Sequence, residues 1–210
     1  VIAWISAAGI IIASVLAVAQ ENFRRMLAYS SVAQIAYVGL GIGLANPLGI
    51  AGGIFHIMAH SLMKGSLFLI AGGIRHHTGI WNISDFQGLG RSMPWTIGAL
   101  TIAALGMIGI PPTAGFFSKW YLLLGSIESG KWIFVVVMLI SSLLNAVYFF
   151  RIIEKAFALP KGQPGCAGKT REMPRGMLVP ILILVAGILI VGALNVLIIN
   201  NLIMPAVEGL

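Results

Sequence analysis

Charge is scarce in this sequence, and carboxylates are scarcer still. Only 9% of the 210 residues are charged, 59% are hydrophobic, and six acidic residues stand against thirteen basic ones. A soluble domain carries about 25% charged residues. So small a supply cannot cover a water-facing surface, and a mean hydropathy of +0.99 points instead to a membrane protein. Cys166 is the sole cysteine, which excludes an internal disulfide and any iron–sulfur cluster held by this chain. Nothing in the chain binds flavin or haem, so no cofactor is expected. The four histidines are too few for the histidine boxes of a membrane di-iron enzyme. The net charge of +7 does not indicate nucleic acid, because the basic residues sit in short connections between apolar runs, as topology determinants do. Apart from Glu154 at a segment end, the apolar runs contain no aspartate or glutamate. That lack favours protons over sodium as the coupling ion.

What is present is a series of apolar runs long enough to cross a bilayer, which takes about 20 residues. The sequence predicts an all-α polytopic helix bundle of about six spans, one of them broken by proline. The expected spans are about Ile2 to Gln20, Met26 to Leu44, Ile50 to Ile74, a broken fourth over about 95–127, Trp132 to Phe157 and Met177 to Met204. Residues 1–158 form one expected unit, 159–176 a loop, and 177–210 an additional helix. The first run has no basic stretch ahead of it, so it reads as a membrane helix rather than a signal peptide. Opening at Val1 inside an apolar run, the chain is expected to be a fragment or a processed piece.

The third span carries charge where charge is expensive. His56, His60 and Lys64 lie four residues apart and so form one stripe on a helix. A lysine near the bilayer centre costs about 2.5–3.5 kcal/mol to insert and is expected to face protein or water, often on an ion pathway. Imidazole both accepts and donates a proton, with an ordinary pKa of about 6.5. The stripe is therefore a candidate proton relay; the alternative for either histidine is a hydrogen bond to a neighbouring helix. In the fourth span Pro111, Pro112 and Gly115 interrupt the helix, and Lys119 follows just beyond. Irregular backbone at membrane depth is tolerated where it lines a cavity, and broken spans mark ion sites in transporters. A plain kink, with Lys119 reaching the interface, is the alternative. Candidate accessory groups are Arg24, Tyr29, Ser30, Gln34 and Asn145, whose hydroxyls and amides either join helices or hold a water chain. Gly39, Gly41 and Gly43 read as close helix packing.

Between the third and fourth spans, Arg75 to Pro94 reads as a polar connection holding His76 and His77. Its QGLGRSMPWT segment is expected to be a surface loop leading into a helix near Pro94 or Trp95. Six spans gather Arg24, Arg25, Arg75, Arg91, Lys155, Lys161, Lys169, Arg171 and Arg175 on one side, with only Lys131 on the other. The positive-inside rule assigns the basic side to the cytoplasm of a bacterial or archaeal membrane and puts both ends of the chain outside.

FRRMLAYSSVAQIAYVGLG, FHIMAHSLMKGSLFLIAGGI, the QGLGRSMPWT loop and GIPPTAGFFSKWYLL, in that order and spacing, resemble the antiporter-like membrane subunits of respiratory complex I. Mrp-type Na+/H+ antiporters and membrane-bound hydrogenases share the pattern. The resemblance implies two inverted five-helix repeats, each with a broken helix and a proton half-channel; this sequence looks like the second repeat plus the following helix. It implies that His56, His60 and Lys64 form the central relay and that Lys119 is the terminal exchange site. Arg24 stands where the family usually has lysine; arginine stays protonated, so it reads as an anchor rather than a carrier. The resemblance further implies other membrane subunits as partners, the bilayer as surroundings, and protons, with or without sodium, as cargo. No catalytic centre is expected in the chain, only membership of an NADH:quinone oxidoreductase-type complex as one option. A non-conducting docking subunit is the alternative function, and a membrane metalloenzyme a remote third.

Overall fold

The computed structural model describes residues 1–158 and 172–209. The expectations attached to Cys166, Lys161, Lys169, Arg171 and most of the 159–176 loop fall outside the described residues. Helices α1 (Ile2–Val18), α2 (Phe23–Leu44) and α3 (Pro47–Thr78) come first. A short α4 (Leu89–Ser92) precedes α5 (Pro94–Ile108) and α6 (Ala114–Glu128), which are the two halves of the proline-broken span. Then come α7 (Trp132–Phe157) and α8 (Arg175–Ala193), followed by α9 (Asn195–Ile198), a π-helical turn at Ile199–Ile203, and α10 (Met204–Glu208). The fold is an all-helical, multi-pass membrane bundle.

Local chemistry sets the helix limits. The Asn22 side chain accepts from the Arg25 amide at 3.1 Å and starts α2. Asn46 accepts from the Gly49 amide at 2.8 Å, with Pro47 in the first turn of α3. Glu172 starts α5 from a distance: its carboxylate accepts from the Trp95 amide at 2.9 Å and from the Thr96 hydroxyl. An anion there offsets the positive end of the helix dipole. At the opposite pole of α1, the Arg151 guanidinium donates to the Val18 and Gln20 carbonyl oxygens.

Three expectations need correction. His76 and His77 are not in a loop: α3 runs 32 residues to Thr78, about 48 Å at 1.5 Å per residue. That exceeds the roughly 30 Å bilayer core, so part of the helix extends beyond it. Arg75, His76 and His77 suit the negative end of a helix, and Gly79, at φ 77°, closes it. The QGLGRSMPWT segment is not a surface loop, because Leu89, Gly90 and Met93 are buried, with Gly90 against the Phe157 ring. The last span is not one uninterrupted helix. It breaks at Leu194, where Gly192 presses on the Pro112 carbonyl and the Asn195 amide donates to Gly192 O at 2.8 Å. Two interrupted spans thus touch at their breaks.

Close packing elsewhere follows the glycines of α2. A Cβ at Gly41 would sit 2.5 Å from the Gly49 carbonyl oxygen, and one at Gly43 2.5 Å from the Ala3 amide nitrogen. Gly39, Gly41 and Gly43 therefore serve helix contact, as read from the sequence. Val1, Gly43, Lys131 and Trp132 line a cavity of about 460 Å3 at one end of the bundle. Asn22, Arg24, Arg25 and Trp81 line one of about 290 Å3 elsewhere, beside the bridge between Asn22 and Asn82.

Replacing Gly192 by alanine drives a methyl into the Pro112 carbonyl and the Ala114 amide, and overpacking of this kind costs about 1–3 kcal/mol. Gly192→Ala is expected to lower the thermal unfolding midpoint of the detergent-purified protein by several degrees. Gly72→Ala, whose methyl meets nothing within 4 Å, leaves the midpoint unchanged or slightly raised.

Candidate functional site: a buried basic row

Helices α2 and α3 run antiparallel, and their facing sides are polar. The Lys64 ammonium, 5% exposed, donates to the Leu27 carbonyl oxygen at 2.9 Å and to the Ser30 hydroxyl. One turn along α3, the His60 ring stacks on that of His56, with centroids 6.3 Å apart and planes 15° apart. His56 is fully buried, and its Nδ1 lies 2.8 Å from Ser118 Oγ. The Ser118 hydroxyl also lies 3.0 Å from the Gly115 carbonyl oxygen. The His56 Nδ1–Ser118 bond runs in either direction according to the imidazole tautomer.

Lys119 is held by the break in the fourth span. Gly109, at φ 93°, turns the chain in the left-handed region that glycine adopts without penalty, and the two prolines beyond it lack amide protons. The last carbonyls of α5 are left without helical donors. The Lys119 ammonium donates to two of them, Met107 O at 2.8 Å and Ile108 O at 3.0 Å, and to the Ser142 hydroxyl at 3.1 Å. Its three protons are all used, at the end of a helix where the dipole is negative. The Tyr37 ring lies 5.3 Å from this ammonium and 5.4 Å from the His56 ring, touching both halves of the row. Asn145 donates to Met107 O at 3.1 Å and accepts from the Tyr148 hydroxyl at 2.6 Å.

The structure therefore brings Ser30, Lys64, His60, His56, Lys119 and Asn145 into one buried region, with Pro111, Pro112 and Gly115 forming its broken backbone. Gln34 is fully buried on the same face of α2. Two candidates do not join. Tyr29 is 36% exposed on another face of α2, and Arg24 packs its guanidinium 6.0 Å from the Trp81 ring, beside Arg75 at 5.3 Å. Four partners were not anticipated: Tyr37, Ser118, Ser142 and Tyr148. Tyr37, seven residues after Ser30, was readable as the same helical face; the other three lie on different helices, and spacing within α3 could not reveal them. His60 and His76 are 16 residues apart on one helix, about 24 Å, too far to share a metal. No group of three or more potential ligands gathers among the described residues.

Fold and site define a polytopic helical membrane protein with a row of basic side chains that runs from a long continuous helix to an interrupted one. Residues 1–145 match the family described as NADH:quinone oxidoreductase/Mrp antiporter, transmembrane, and the chain belongs to it. Among its relatives, NADH-quinone oxidoreductase subunit N of Desulforudis audaxviator is 50% identical over 216 residues, covering 98% of this chain and 43% of that protein. A Na(+)/H(+) antiporter subunit of Alkalihalophilus pseudofirmus is 36% identical over 141 residues, 67% of this chain and 29% of that one. Among solved structures, a chain of respiratory complex I from Thermus thermophilus superposes with a TM-score of 0.86 at 24% identity, covering 99% of this chain and 43% of its own. That likeness is one of fold. The chain spans less than half the length of each of these relatives.

The Tyr148 hydroxyl is the donor that satisfies the buried Asn145 carbonyl oxygen. Tyr148→Phe leaves that acceptor unpaired and is expected to cost about 1–3 kcal/mol, read as a lower denaturation midpoint of the purified protein. Tyr29→Phe, altering an exposed ring, is expected to leave the midpoint in place.

Proposed function

We propose that this chain is part of an ion-translocating membrane subunit and that it passes protons between Lys64 and Lys119 through His60 and His56. The observation that supports this most directly is the row of three buried titratable groups, Lys64, His56 and Lys119, with the half-buried His60 among them and Ser30, Ser118 and Ser142 as hydroxyl partners, ending at a broken helix. Carrying buried lysines is costly in a bilayer, and such residues commonly serve ion pathways. An imidazole takes up a proton at one ring nitrogen as it gives one up at the other, which suits His56, with one nitrogen against the Ser118 hydroxyl, to relay work. Among the described residues no carboxylate takes part in the row, and this favours protons over sodium. We further propose that residues 1–158 act as one half-channel, that other membrane subunits complete the complex, and that the arginine-rich end faces the cytoplasm, with the chain's ends outside. The relatives' names, an NADH-quinone oxidoreductase subunit and a Na(+)/H(+) antiporter subunit, support this class.

The test uses the full-length subunit in its own complex, reconstituted into liposomes. Lys64→Ala and Lys119→Ala are each expected to lower proton translocation by about a hundredfold, the low end of what a positioned proton-transfer group contributes. Assembly of the complex, checked by native gel, should persist. Translocation at the parental rate in either variant would overturn the relay and favour a docking role. Replacing sodium with potassium in the assay should leave the rate unchanged.

A further inference from the structure

Three guanidiniums gather around one tryptophan at the end of the bundle where α2 begins. Arg24 lies 6.0 Å and Arg75 5.3 Å from the Trp81 ring centroid, and Arg25 lines the same cavity as Arg24 and Trp81. The frame beneath them is pinned by backbone bonds between two connections: the Phe23 amide donates to Trp81 O and the Ile83 amide to Glu21 O, both at 2.9 Å. Arg75 is further anchored by donating to the Gly79 carbonyl oxygen. A guanidinium stacked on a ring keeps its N–H edge free, and that planar fork fits two oxygens of a phosphate at once.

Nothing in the chain neutralises this cluster. The carboxylates nearest in sequence, Glu21 and Asp85, are exposed, and Asp85 accepts from the Ser84 hydroxyl. Glu172 is taken up at the start of α5 and Glu128 bonds to Asn46. Among the described residues no ion pair within 4.0 Å joins a carboxylate to any of the three arginines. Arg24 and Arg25 also sit in the first turn of α2, where the helix dipole favours anions over cations. The cavity beside them, lined by Asn22, Arg24, Arg25, Ala28 and Trp81, holds about 290 Å3, near the lower end of the about 300–1,000 Å3 of ligand pockets.

An apolar track leads away from the cavity along the same helix. Ala28, Val32 and Ile35 follow one another at spacings of four and three and are exposed, Val32 by 54% and Ile35 by 61%. The ten residues from Arg25 to Ile35 rise about 15 Å, half of the roughly 30 Å bilayer core and so the depth of one leaflet. A cationic pocket, an aromatic ring at its rim and an apolar stripe one leaflet deep suit an amphiphile with an anionic head.

We propose that Arg24, Arg25 and Arg75 around Trp81 bind the phosphate of an anionic phospholipid, whose acyl chains lie along Ala28, Val32 and Ile35. The lipid supplies the anion that the first turn of α2 lacks. This site is separate from the Lys64 to Lys119 row and requires only that this end of the bundle lies at a membrane surface.

The test uses the full-length subunit in its complex. Delipidated complex is titrated with phosphatidylglycerol, phosphatidylcholine or inorganic phosphate and followed by native mass spectrometry, and an electron-microscopy map of the phosphatidylglycerol-loaded complex locates the bound lipid. Headgroup density is expected against Arg24 and Trp81, with chain density over Val32 and Ile35. Arg24→Gln combined with Arg25→Gln should remove one phosphatidylglycerol from the bound count, its affinity falling about tenfold to a hundredfold with the loss of charge-assisted hydrogen bonds. Lys131→Gln, at the other end of the bundle, should leave the count unchanged. An unchanged count in the double variant would overturn the proposal. So would phosphatidylcholine filling the site equally well, inorganic phosphate displacing the lipid, or protein density over Val32 and Ile35. If the double variant does not assemble, the map and the lipid preference of the unaltered complex decide. Lys64→Ala, which tests the relay, is expected to keep the lipid, so either reading fails without the other.

Discussion

A lysine ammonium in a bilayer needs acceptors, and backbone carbonyls are the acceptors that a membrane helix normally withholds. In an intact helix they bond to their own amides four residues on. Here Gly109 and the proline pair free the Met107 and Ile108 carbonyls, and the Lys119 ammonium takes both of them together with the Ser142 hydroxyl. The break supplies the acceptors, and the lysine satisfies the break. Removing either partner leaves the other unpaired in an environment without water, where each orphaned group is costly.

Much of the surrounding architecture serves this exchange. Gly192 of α8 comes up against Pro112, so the last span covers the interrupted backbone from one side, two residues before its own irregularity at Leu194. Asn145 and Tyr148 of α7 extend the hydrogen bonding from Met107 O. Glu172 fixes the start of α5 from the segment leading into α8, tying the first turn of the broken span to the same helix that covers its break. Lys64 solves its need differently, by borrowing a carbonyl from the intact α2 and a hydroxyl beside it.

How much of this could be read beforehand depended on whether the cause lay within one segment. The His56, His60 and Lys64 stripe was legible because spacing of four residues fixes a common face. The broken span was legible because two adjacent prolines remove two backbone donors in a row. Tyr29, a candidate accessory group beside Ser30 in sequence, lies on another face of α2, because adjacent residues on a helix point about 100° apart. His76 and His77 looked like loop residues on polarity alone, yet basic side chains are what a helix C-terminus favours. Ser118, Ser142 and Tyr148, and the bend after Gly192, depend on contacts between helices distant in sequence, and no periodicity within either partner encodes them.

The central claim is that Lys64 and Lys119 are steps of one path. The most direct measurement is a double-mutant cycle on proton translocation by the reconstituted full-length complex, comparing Lys64→Ala, Lys119→Ala and the pair together. Groups acting in series lose their function once, so the account predicts that the double variant is no slower than the slower single variant. A double variant whose loss equals the product of the two single losses would contradict it, because each lysine would then contribute independently of the other.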